Sequence, residues 1–218
     1  QQIDGAYLMI PSAMNIVGDP EVPKEESVVV GAIVFAKGIQ GNCHLQHLTL
    51  RQAKKAGVVG RSSFTMEDVL VEQCAYSGVV ASGTGVFGRC TNVEVRQCGG
   101  SGVAASNGAS ITLIGAKTTV HHNCTTGESD EYGLAVYGSS SSTIQLVPPL
   151  TRKKVSRNNG GGGNWGAVRG GDIHQIKTIS EKAAAAARGE VRVPEDCKTL
   201  KEAVKRVHKA GRLDTIVV

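Results

Sequence analysis

The chain of 218 residues is poor in rings, with three Phe, four Tyr and a single Trp. The rings that dominate many binding surfaces are therefore scarce. No run of 18 apolar residues occurs, so no membrane-spanning helix is expected. Residues 1–20 contain Asp4, Pro11, Asp19 and Pro20 without a basic leader, which reads as no signal peptide. Cys43, Cys74, Cys90, Cys98, Cys124 and Cys197 form no CxxC pair, which removes the common zinc and redox motifs. Thiols without a disulfide framework favour a reducing, cytoplasmic setting. The net charge of +5 is spread along the chain, and its compact basic cluster, Arg152-Lys153-Lys154 with Arg157, lacks interleaved aromatics. No nucleic-acid partner is expected.

What the chain does have is a phrase repeated five times, in which an apolar residue is followed after three positions by a small or amide residue, then by Gly and a short apolar run. It starts at Leu50, Val71, Val95, Val120 and Val155, carries Ala53, Cys74, Cys98, Asn123 and Asn158, and reaches Gly57, Gly78, Gly102, Gly133 and Gly166. The first intervals are 21 and 24 residues, within the range of a solenoid with one small unit per turn. Val, Thr and Gly dominate each unit and its apolar residues alternate, which predicts two or three short strands per turn rather than a helix pair. The expected fold is all-β: a right-handed parallel β-helix over residues 1–179, with about 21–24 residues per coil. Leu50, Val71, Val95, Val120 and Val155 should form one interior column. Ala53, Cys74, Cys98, Asn123 and Asn158 should form a second at a bend, where amides satisfy unpaired backbone groups and thiols pack.

The phrase lengthens in its last two copies, placing residues 124–132 and 159–165 as adjacent loops on one edge of the coil. The first is acidic, with Glu128, Asp130 and Glu131, and the second carries Trp165 beside glycines. An aromatic beside carboxylates and amides suits a sugar ring, while Trp165 could equally cover the last rung. Outward positions next to the first column are Arg51, Glu72, Arg96 and His121, and one step on are Gln52, Gln73, Gln97 and His122. The first set reads as a surface ion ladder or as a polysaccharide groove with cations facing uronates. His121 and His122 lack the spacing of a shared metal site. Candidate ligand-binding residues are therefore Arg51, Glu72, Arg96, His121, Glu128, Asp130, Arg157 and Trp165, with no metal and no cofactor.

Residues 180–194 form an Ala-rich connector. Thr199-Leu200-Lys201-Glu202 is a capping box, and Leu200, Ala203, Val204, Val207 and Ala210 follow at helical spacing, so residues 195–218 are expected to form an amphipathic helix and a strand. The coil, its ladders, this helix and the Thr215-Ile216-Val217-Val218 strand together resemble pectate-lyase-like β-helix proteins. In that family such a helix caps the N-terminal end of the coil and runs into a strand pair ending in Val-Gly-Asp, here Val17-Gly18-Asp19. The resemblance implies a circularly permuted order, in which residues 195–218 cap the residue 1–20 end of the same or a neighbouring chain, and self-association follows in the second case. It implies architecture and not activity. The leading expectation is a non-catalytic module that binds a glycan or a protein partner on its open sheet face or loop edge. The alternatives are a uronate lyase or epimerase, which alone would call for calcium, and a structural assembly unit.

Overall fold

The computed structural model describes residues 7–138, 141–180, 182–183, 190–192, 199, 201–202, 204–205 and 215–217. Residues 1–178 form one compact unit and 179–218 another. The first unit is an all-β parallel solenoid. One face is a seven-stranded sheet that starts at Tyr7–Ile10, passes through Ala32–Phe35, Val58–Gly60, Val79–Ser82, Val103–Ser106 and Tyr132–Tyr137, and ends at Gly163–Val168. Every pairing in it is parallel. A second sheet of 11 strands wraps the other two faces, because Cys43–Arg51 and Phe64–Glu72 each bend across both. The bends fall at His47 and Asp68, which take left-handed backbone with φ of 51° and 50°.

The expected interior column is present from Leu50 through Val71 and Val95 to Val120, and Val29 extends it by one turn. All four core members are fully buried. Truncating one such Leu or Val to Ala costs about 2–5 kcal/mol, so the column is a principal source of stability. The recurrent glycine follows from the same crowding: a Cβ at Gly78 would lie on Val95 Cγ1, and one at Gly102 on Val120 Cγ1. Phe64 stacks on Phe35 with centroids 5.7 Å apart, in space that Gly60 and Gly88 leave open.

The last rung departs from the expected register. Val120 pairs with Ser156, not Val155, and His121 with Arg157. A short helix, Arg152–Val155, precedes this strand, with Thr151 as N-cap. That helical turn delivers Val155 into the core and shifts the following residues by one, so Asn159 rather than Asn158 continues the amide ladder. Trp165 likewise lies within the strand Gly163–Val168 and not in a loop.

In the second unit Glu190–Arg192 pairs in parallel with Thr215–Val217, so the expected connector 180–194 contains a strand. The expected C-terminal capping helix is not supported. Helical backbone is described at residues 201–202 and 204–205, and Glu202 N–H donates to Thr199 Oγ1 at 3.2 Å. Most of the remaining residues of that expected helix, and Cys197, lie outside the described residues.

Candidate functional site

The third face of the coil carries Arg51, Glu72, Arg96, His121 and Arg157 in one outward row, one per turn. In-register parallel strands lie about 4.8 Å apart, so opposite charges in this row are forced together. Arg96 Nη2 meets Glu72 Oε2 at 2.8 Å and its Nη1 meets Glu94 Oε1 at 3.1 Å. His121 Nε2 reaches the same Glu94 oxygen at 3.0 Å. Arg51 Nε lies 3.7 Å from Glu72 Oε1, and its Nη2 donates to Glu25 O. Burial works against the Arg96 charge, but Glu72 and Glu94 outweigh it, and its pKa is raised. Glu72 is buried in this network, whereas Arg157 is exposed at the end of the row.

Beside this row the chain turns inward, and the residue at the corner takes left-handed backbone in every turn: Gln52 (φ 58°), Gln73 (55°), Gln97 (55°), His122 (54°) and Asn158 (53°). All five are exposed. Left-handed backbone costs a residue with a Cβ on the order of 1–2 kcal/mol, least for Asn or Gly. Glutamine is not the residue that local backbone preference would choose there. The amides of Gln52, Gln73 and Gln97 make no side-chain hydrogen bond among the described residues, so the corner geometry does not depend on them. The left-handed corner also brings His122 Nδ1 within 2.7 Å of His121 Nδ1, whereas neighbours on a regular strand would point apart.

The two enlarged loops are adjacent, as their shared corner predicts, with Gly160 N–H on Asn123 O and Gly162 N–H on Glu131 O, both at 2.9 Å. Their acids divide. Glu131 accepts from the Ser101 N–H at 2.6 Å, from Ser101 Oγ–H, and from the Tyr137 hydroxyl at 3.1 Å, which pins the loop to the coil. Burial, with Glu131 alongside, pushes the Tyr137 hydroxyl pKa up. Glu128 and Asp130 face solvent.

Trp165 is separate from these carboxylates. It ends the inward column of the first face, next to Leu134, and packs partly buried on the core. Arg152 lies over its ring, 5.5 Å from the centroid, in a groove of about 500 Å³ lined also by Lys153, His174, Ile176 and Lys177. The structure thus brings Arg51, Glu72, Arg96, His121 and Arg157 together and leaves Glu128, Asp130 and Trp165 elsewhere.

Sequence reasoning missed a further cluster. Asp68 Oδ1 accepts from Lys24 Nζ at 2.6 Å, its Oδ2 lies 2.7 Å from His47 Nδ1, and His47 Nε2 meets Val22 O at 2.9 Å. His47 and Asp68 are one coil apart in the repeat, a signal that could have paired them, but Lys24 arrives on a loop outside the repeat. Among the described residues no three His, Cys, Asp or Glu side chains converge as metal ligands. Cys43, Cys74, Cys90, Cys98 and Cys124 are buried free thiols.

Comparison with protein-family models, curated proteins and solved structures gives no match.

Proposed function

We infer that the coil is a non-catalytic module that binds an extended glycan along its third face. The observation that carries this reading is the row of exposed glutamines in left-handed backbone, free of side-chain partners and flanked by Arg51, Arg96, His121 and Arg157. A strained residue type present at successive turns, where Asn or Gly would cost less, is accounted for by what its side chain offers to a partner. A primary amide presents donors and an acceptor together, which suits vicinal hydroxyls, and Arg157, exposed at the end of the row, suits a carboxylate-bearing sugar. The turn-to-turn spacing of about 4.8 Å is comparable to the length of one sugar unit in a chain.

The finer architecture belongs to the same proposal: a right-handed, pectate-lyase-like coil whose capping helix is displaced in sequence to residues 195–218. The enzymatic alternative, a uronate lyase or epimerase, would draw on Arg96, His121, Glu128, Asp130 or Arg157; of these Arg96 and His121 are engaged by Glu72 and Glu94, while Glu128 and Asp130 face solvent apart from them.

The test is calorimetric titration with neutral and uronate oligosaccharides of the protein and of Gln73→Asn/Gln97→Asn. Asn keeps an amide, tolerates left-handed backbone and is shorter, so folding is retained or improved while affinity falls at least tenfold. Unchanged affinity in the double variant overturns the stripe as the site. Turnover of a uronate polymer, followed through unsaturated products, overturns the non-catalytic assignment.

A further inference from the structure

The two ends of the coil differ in charge and match in register. On the first turn Leu8, Met9, Met14, Val17 and Val30 are all exposed. The loop of residues 19–26 on the same turn exposes Asp19, Glu21, Glu25 and Glu26, and its lysine, Lys24, is already bound to Asp68. On the last turn, residues 151–178 contain six Lys and Arg residues against Asp172 alone. Five of those cations, Lys153, Lys154, Arg157, Arg169 and Lys177, are exposed.

Among the described residues each sheet also ends in strands paired on one side only: Tyr7–Ile10, Met14–Val17 and Val28–Val30 on the first turn, and Gly163–Val168, Ile176–Thr178 and Ser156–Arg157 on the last. Unpaired parallel edges with apolar side chains are templates for further strands. The columns say what such strands would meet. Leu8 belongs to the inward column that ends at Trp165. Ile16 belongs to the column that ends at Thr178, and Val29 to the one that ends at Ser156. Advancing a second copy by one turn beyond the last therefore sets Leu8 on Trp165, Ile16 on Thr178 and Val29 on Ser156. Leu8 meets an apolar ring, Ile16 and Val29 meet the small hydroxyl residues Thr178 and Ser156, and the acidic first turn faces the basic groove of Arg152, Lys153 and Lys177.

We propose that the first turn of one copy docks on the last turn of another, head to tail, adding a strand to each of the three faces. Such a contact is heterologous: every added copy presents a new free end, so assembly is open and does not close at a dimer. Stacking like ends would oppose acid to acid or base to base and is disfavoured. Because the acidic loop and the basic groove are exposed, salt weakens the electrostatic part of the attraction.

The experiment is sedimentation velocity of the full 218-residue chain over a concentration series at low and high salt. Species larger than a dimer are expected to grow with concentration and to shrink with salt. Leu8→Asp disables the head and Lys153→Glu/Lys177→Glu disables the tail, so each variant alone is monomeric. An equimolar mixture of the two forms one-to-one dimers and nothing larger, through the intact tail of the first and the intact head of the second. The charge variant alters only exposed side chains, and circular dichroism verifies that both variants fold. A chain that stays monomeric at all concentrations, whether its own C-terminal unit or nothing covers the ends, overturns the proposal. So does a closed dimer that survives in both variants, or a mixture that remains monomeric.

Discussion

Asn159 is stacked on Asn123 across the last two rungs of the coil. Its Oδ1 accepts from the Asn123 backbone N–H at 3.0 Å and from Asn123 Nδ2 at 3.1 Å. The two amides repeat one pattern: Asn123 Nδ2 donates to Val95 O at 3.0 Å, and Asn159 Nδ2 to Val120 O at 3.1 Å. Asn123 Oδ1 in turn accepts from Cys98 N–H at 3.1 Å, so the ladder satisfies backbone groups that the corner takes out of the sheet.

Asn123→Ala leaves the Cys98 N–H and Val95 C=O without these partners in the interior. A loss of about 2–4 kcal/mol is expected, since each buried unsatisfied group costs roughly 1–3 kcal/mol. Asn158→Ala takes no amide from the ladder and loses only the tolerance of Asn for left-handed backbone, so its cost should be smaller, roughly 1 kcal/mol. Urea melts of Asn158→Ala beside Asn159→Ala check the register: equal losses at 158 and 159 would contradict the one-residue shift.

Gly78→Ala places a methyl on Val95 Cγ1. Overpacking of this kind costs about 1–3 kcal/mol. Pairing it with Val95→Ala should give a double variant more stable than the sum of the two single losses, because the second change removes the nearer of two clashes and leaves the one with Gly102 O. Strict additivity in denaturant melts would show that the two side chains do not compete for one space.

The His47–Asp68 pair makes stability depend on pH in a defined direction. The hydrogen bond that His47 donates to Asp68, with the one to Val22 O, raises the His47 pKa above 6.5. This contribution is fully present below the unfolded value of 6.5 and is lost as pH rises through the raised folded value. Burial raises the Asp68 pKa, but Lys24 and His47 outweigh it and bring the folded value below 3.8, so its contribution is present above 3.8 and lost as pH falls further. An NMR titration should place the His47 midpoint above 6.5 in the protein and bring it down in Asp68→Asn. An unmoved midpoint in that variant would remove Asp68 as the cause.

Burial pushes the Cys90 thiol pKa up to about 12, and burial with Glu131 nearby pushes Cys124 up to about 12. Thiolate is the reactive species, so both should resist alkylation at pH 8 in the folded protein and react promptly in denaturant. Site-resolved mass spectrometry distinguishes these positions from the other thiols. Rapid native labelling of Cys90 would mean that the coil opens locally on the time scale of the reaction.

The repeat alone determined that this chain coils, which side chains line its interior, and that Arg51, Glu72, Arg96 and His121 share a face. One residue per turn must face inward at each column, and burial leaves that period in the letters themselves. The tertiary structure decided the rest. A turn of helix at Arg152–Val155 shifts the last rung by one, which no local pattern announces, and it places Asn159 in the ladder and Arg157 in the outward row. Trp165 reads as a loop residue until the sheet edge at Gly163 draws it into a strand, away from Glu128 and Asp130. Lys24 meets Asp68 across 44 residues because a loop closes over a corner. Such contacts depend on where the chain returns in space, and their partners carry no period by which they could be read beforehand.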